Sequence, residues 1–123
     1  MDSKEIIKIR EQAELARKEG RNEKAMSLMK EYLSLVHPSF THYCWFFIAE
    51  ILLEKNKITE ALEHCDEALR IMKDFIPGLE LRIKIHKSMG NFPEAKKDQT
   101  TIDDIQAREK KKWDDPNHYY HYK

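Results

Sequence analysis

The sequence is poor in the residues that interrupt helices. Its 123 residues include three glycines and four prolines, which leaves little room for long flexible linkers. It lacks an excess of charge: 22 basic side chains balance 22 acidic ones. That balance gives no argument for nucleic acid or an anionic membrane as the main partner. Long apolar runs are missing too. The longest, residues 43–53, is too short for a membrane span, contains Glu50, and reads as a buried helix. The opening MDSKEIIKIREQAEL is already amphipathic and has no uninterrupted apolar core, so it is not expected to be a signal peptide. Cysteine is scarce, and Cys44 and Cys65 both fall inside helical patterns. They are expected as buried free thiols of a cytoplasmic protein, because a disulfide framework needs more cysteines in loops and no C-x-x-C suggests zinc.

Signals of catalysis are equally thin. The chain has no glycine-rich phosphate loop, no G-x-S-x-G and no H-E-x-x-H. Carboxylates recur beside Lys and Arg at helical spacing, as in Glu63, Glu67 and Arg70, which is the pattern of a solvated face. No nucleophile stands near a base, so neither enzyme activity nor a cofactor is expected. His118 and His121 form an H-x-x-H beside Asp114 and Asp115. Both rings would share a helix face, but so common a spacing in a terminal segment reads better as a solvated tail than as a metal site.

What is present is helix, repeated. Glu, Lys, Leu, Ile and Ala dominate, and all but Ile are strong helix formers. Between Ile58 and Met72 the apolar residues Ala61, Leu62, Cys65, Ala68, Leu69 and Met72 form one stripe at helical spacing. A single helix cannot cover that stripe. Gly20, Asn56 and Gly90 each stand five residues before an alanine (Ala25, Ala61 and Ala95). Gly and Asn tolerate the left-handed conformation that closes a helix. The three slots are 36 and 34 residues apart, a period typical of stacked helical units. Helices are expected at about 5–17, 23–36, 41–54, 59–73, 78–89 and 93–112, with Pro38 and Pro77 breaking the chain between pairs.

These units resemble the tetratricopeptide repeat family. The middle unit carries Trp45, Ile48, Ala49 and Leu52 in its first helix, then Ala61 and Cys65. The first carries Ile9, Gln12, Ala13 and Ala16, then Ala25, Met29 and Pro38; the third carries Leu79, Arg82, Ile83 and His86, then Ala95 and Gln99. The resemblance implies an all-α, right-handed α-solenoid of three helix-turn-helix units, about 5–39, 41–75 and 77–107, within a domain spanning 1–107. It also implies a buried Trp45, and small residues where hairpin helices touch. Arg82, His86 and Gln99 put polar groups in slots that elsewhere face the core, as suits a terminal unit or one covered by a further segment.

The resemblance further implies a concave groove lined by first helices. At its groove-facing positions stand Arg10, Glu14 and Arg17, then Phe46, Glu50 and Leu53, then Glu80, Lys84 and Lys87, with Tyr43 widening an apolar centre. Phe46 and Leu53 fit a core role equally well. Many family members clamp the C-terminal carboxylate of a chaperone with basic residues and asparagines. Here only Arg10 and Lys84 have the right charge, and Glu14, Glu50 and Glu80 would repel a carboxylate. The expected role is therefore an adaptor that binds a segment of another protein without that clamp. A self-associating subunit, using the open ends of the stack, and a co-chaperone fragment are the alternatives. Residues 108–123 extend the last helix through Lys110–Lys112 and end in Trp113, Tyr119, Tyr120 and Tyr122. They read as an aromatic tail, ordered or disordered, or as the start of another repeat.

Overall fold

The computed structural model describes residues 1–114, and these form six helices. They are α1 (Ser3–Lys18), α2 (Asn22–Leu35), α3 (His42–Glu54), α4 (Ile58–Ile71), α5 (Ile76–Ser88) and α6 (Phe92–Asp114). The tail tyrosines and the His118–His121 pair lie outside the described residues. No described helix is long and apolar enough to cross a membrane.

The three expected turn slots share one geometry. Gly20, Asn56 and Gly90 have φ of 77°, 61° and 73°. In each turn the next amide donates five residues back: Arg21 to the Ala16 carbonyl (2.8 Å), Lys57 to Leu52 (2.9 Å) and Asn91 to His86 (2.8 Å). The slot residues themselves donate three back, to Arg17, Leu53 and Lys87. This paired pattern satisfies carbonyls that a helix end otherwise leaves without partners. One sequence rule therefore folds α1 onto α2, α3 onto α4 and α5 onto α6.

Each hairpin closes on small side chains. Ala13, Ala25, Ala49 and Ala61 are fully buried, and Ala95 nearly so. The hairpins then lean on one another: α2 meets α3, α4 meets α5, and α3 meets α5. The stripe on α4 is covered from both sides, with Ala61, Cys65, Ala68 and Leu69 all buried. The middle hairpin lies at the centre of the core, where Ile48, Ile51 and Cys65 are sealed completely. Burying a side chain the size of Ile48 stabilises the fold by about 1.5–3 kcal/mol. Both cysteines are buried and free. Burial pushes the Cys65 thiol up to about 12, and that thiol donates to the Gly78 carbonyl at 3.1 Å.

Several details differ from the sequence reading. Trp45 is only partly buried and packs against His64, with ring centroids 5.7 Å apart. Pro77 lies inside the first turn of α5 rather than before it, where its missing N–H costs nothing. Gly78 next to it is a packing residue: a Cβ there would come within 2.9 Å of the Phe75 ring and 3.2 Å of Leu69. Gln99 is exposed. On α6 the buried positions are Ala95, Asp98, Ile102 and Ile105, so the helix turns Asp98 inward instead. Arg82 donates to both Asp98 oxygens (2.8 and 2.7 Å) and to Asp66 (3.0 Å), which ties α4, α5 and α6 together. Of the three polar residues named for the third unit, Arg82 alone enters this clasp; His86 is buried with its Nδ1 lacking a hydrogen-bond partner among the described residues.

Candidate partner-binding groove

The face built by α1, α3 and α5 carries the residues named above. Helix spacing of three and four brings each set onto one side of its helix. In the first unit both cations are already engaged. The Arg10 side chain donates to Glu14 at 3.2 Å, and its guanidinium sits 5.9 Å from the centre of the Tyr32 ring and 5.5 Å from that of Tyr43. Arg17 forms a two-pronged pair with Glu54, at 2.7 and 2.6 Å, and also donates to Asn22 at 3.0 Å. The guanidinium of Arg17 holds the Glu54 carboxyl below its ordinary range. This pair joins α1 to α3, and a Lys55–Glu23 pair joins the start of α2 to the end of α3. Exposed pairs of this kind are each worth about 0.2–1 kcal/mol.

The apolar centre lies between α3 and α5. Phe46, Glu50, Pro77, Glu80, Leu81 and Lys84 line an open depression of about 280 Å³. Phe46 is half-buried, and its ring meets the edge of Phe75 at 5.4 Å. Both readings of Phe46 therefore hold in part, since it packs against the core and also presents a face to the depression. Tyr43 is more exposed and stands 6.4 Å from Phe46, ring to ring. Leu53 packs against the core and does not line the depression. Lys87 is exposed and likewise outside it.

Glu50 is the chemically unusual group. It is partly buried and accepts no hydrogen bond among the described residues. Burial pushes its carboxyl above the ordinary range, Arg17 and Lys84 pull it down, and Glu54 pushes it up. Glu80 and Lys84 stand exposed on the opposite rim. No cluster of metal-ligating side chains occurs among the described residues. Pro77 and Leu81 are lining residues that the sequence reading missed. From sequence Pro77 signals only a helix break, and Leu81 lies one residue from a groove position on a helix apolar on several sides.

No family model matches the sequence, and no curated protein does. Solved structures do match. The second TPR domain of Spaghetti (RPAP3), bound to the HSP90 peptide SRMEEVD, superposes with a TM-score of 0.71 at 21% identity, over 79% of this chain and 88% of that one. The Arabidopsis OM64 TPR domain gives 0.71 at 19% identity, over 80% of this chain and 81% of that one. The first TPR domain of Spaghetti (RPAP3), bound to the same peptide, gives 0.72 at 17% identity, over 83% and 79%. The fold is that of a tetratricopeptide repeat domain. Within that TPR fold, α1, α3 and α5 are the first helices of the three repeats, and α2, α4 and α6 the second. The depression beside Phe46 therefore lies between the first helices of the second and third TPR units.

Proposed function

We propose that this chain is a protein-binding adaptor whose TPR groove holds a segment of a partner protein. One observation carries the reading. Phe46 and Leu81, with Pro77, give an apolar floor in an open depression whose rim is charged, the arrangement of a peptide site rather than of plain surface. Phe46 and Leu81 supply the apolar anchors with Tyr43 beside them, and Glu50, Glu80 and Lys84 the polar contacts, whereas Leu53 and Lys87 fall outside the depression and Arg10 and Arg17 are held by Glu14 and Glu54. The two RPAP3 domains of like fold hold an HSP90 peptide, which supports peptide binding by this architecture.

The partner of this chain is not an acidic chaperone tail held by a carboxylate clamp. Arg10 and Arg17 are occupied by Glu14 and Glu54, and Glu50 and Glu80 border the depression. A terminal carboxylate there would meet like charge. Catalysis is not part of the reading: burial pushes the Glu50 carboxyl upward, yet no hydroxyl, thiol or imidazole lines the same depression. A cytoplasmic site of action fits the free thiols.

Affinity capture from cells, comparing wild type with Phe46→Ala/Glu80→Ala and confirming by melting curves that both are folded, tests the proposal. Partners that bind wild type and are lost from the double replacement are expected; an unchanged set of captured proteins contradicts it. Self-association is a second reading, favoured by the exposed Ile7 and Leu15 on α1 and the exposed Met89 and Phe92 at the last turn. Sedimentation that shows a monomer at high concentration removes it.

A further inference from the structure

We infer that the segment taken by this groove carries a lysine or arginine next to an apolar residue, the apolar side chain resting on Phe46, Pro77 and Leu81 and the cation seated between Glu50 and Glu80. The inference rests on the groove reading above and narrows it to one chemistry.

Charge complementarity and a carboxylate without a protein hydrogen-bond partner point to this chemistry. Arg10 and Arg17, the cations that a negatively charged ligand would need, each already face a carboxylate. Arg17 is held by Glu54 and Asn22 together, so freeing it for a ligand would break three short hydrogen bonds. Within the depression itself, two carboxylates oppose one ammonium, that of Lys84. Lys84 forms no ion pair within hydrogen-bonding reach among the described residues, so its flexible stem can move aside. Glu50 is the better anchor of the two. It is partly withdrawn from water and accepts no hydrogen bond among the described residues, so an incoming N–H donor replaces solvent rather than another protein group. An apolar wall beside it lowers the local dielectric and strengthens that contact.

Selection of a random-peptide display library against the full chain tests this. Enriched peptides are expected to pair Lys or Arg with a neighbouring aliphatic or aromatic residue. A synthetic copy of the best one should bind Glu50→Gln/Glu80→Gln about tenfold more weakly than wild type, and Lys84→Gln more tightly. Thermal melts of each variant confirm folding. Enriched peptides that are acidic, or that bind the glutamine variants as well as wild type while still losing Phe46→Ala, overturn the cation assignment and leave the groove reading standing. Peptides indifferent to Phe46→Ala, or no enrichment at all, overturn both.

Discussion

The middle and last hairpins solve the same packing problem with different chemistry. Between α3 and α4 the contact is almost purely apolar, with Ile48, Ala49, Leu52, Ala61 and Cys65 sealed from water. Between α5 and α6 a guanidinium takes over: Arg82 bridges the buried Asp98 and the exposed Asp66. The middle hairpin has a neighbour on each side, so apolar surface there is covered whichever way it faces. The last hairpin has a neighbour on one side only among the described helices, and its clasp lies on that side, where Arg82 stays a quarter exposed and reaches Asp66 of α4. The first hairpin also ends the stack among the described helices yet packs on Ala13, Ala25 and Met29, so an end position permits a polar clasp without requiring one.

The largest effect is expected on the apolar side. Ile48→Ala removes three carbons from a fully sealed site and should cost about 2–5 kcal/mol in urea unfolding. Ile102→Ala in α6, near the rim of the core, should fall at the low end of that range. A similar loss for the two would mean that the hairpins are equally braced. The clasp comes next. Asp98→Ala leaves Arg82 with only Asp66, and we expect a loss of about 2 kcal/mol, less than for a fully buried pair because Arg82 is a quarter exposed. Replacing both partners, as Arg82→Met/Asp98→Leu, should recover most of that loss; if it does not, the clasp contributes more than an apolar contact would.

The turns offer a third test. Gly90→Ala forces a side chain into φ of 73° and should cost about 1–2 kcal/mol, although the space around Gly90 is open. Asn56→Gly should be neutral or slightly stabilising at the equivalent turn. The smallest effect is that of Glu50. Burial raises its folded value above the unfolded one, so folding favours the protonated carboxyl. That contribution is complete at low pH and is lost as pH rises through the window just above the ordinary carboxylate value. Glu50→Gln should therefore be more stable than wild type at neutral pH, and the gain should vanish as pH falls through the ordinary carboxylate range. Melting curves of both proteins across that range measure it.

Most of the helical frame was legible in the sequence for a local reason. Helix ends are set by single residues, and Gly20, Asn56 and Gly90 announce left-handed turns without reference to the rest of the chain. The alanines at the hairpin contacts were legible too, because no larger side chain fits there. The clasp was not. Which of Asp98 and Gln99 faces inward depends on how α6 is rotated about its axis, and a partner on α5 decides that. The role of Gly78 was not legible either, since its close approach to Leu69 belongs to packing between helices rather than to a turn. In the groove, Phe46, Glu50, Glu80 and Lys84 were named from the family resemblance and do share one depression, whereas Leu53 and Lys87 fall outside it. Spacing gives the side of a helix; the neighbouring helix decides how far along that side the surface stays open.

Site-specific photocrosslinking tests the groove most directly. A photoreactive phenylalanine analogue replaces Phe46, and in a second protein it replaces the exposed Glu63 on α4, which does not line the depression. Adducts with a partner segment at position 46 and none at position 63 are the predicted result. Adducts at position 63 alone, or equal labelling at both positions, would contradict the account.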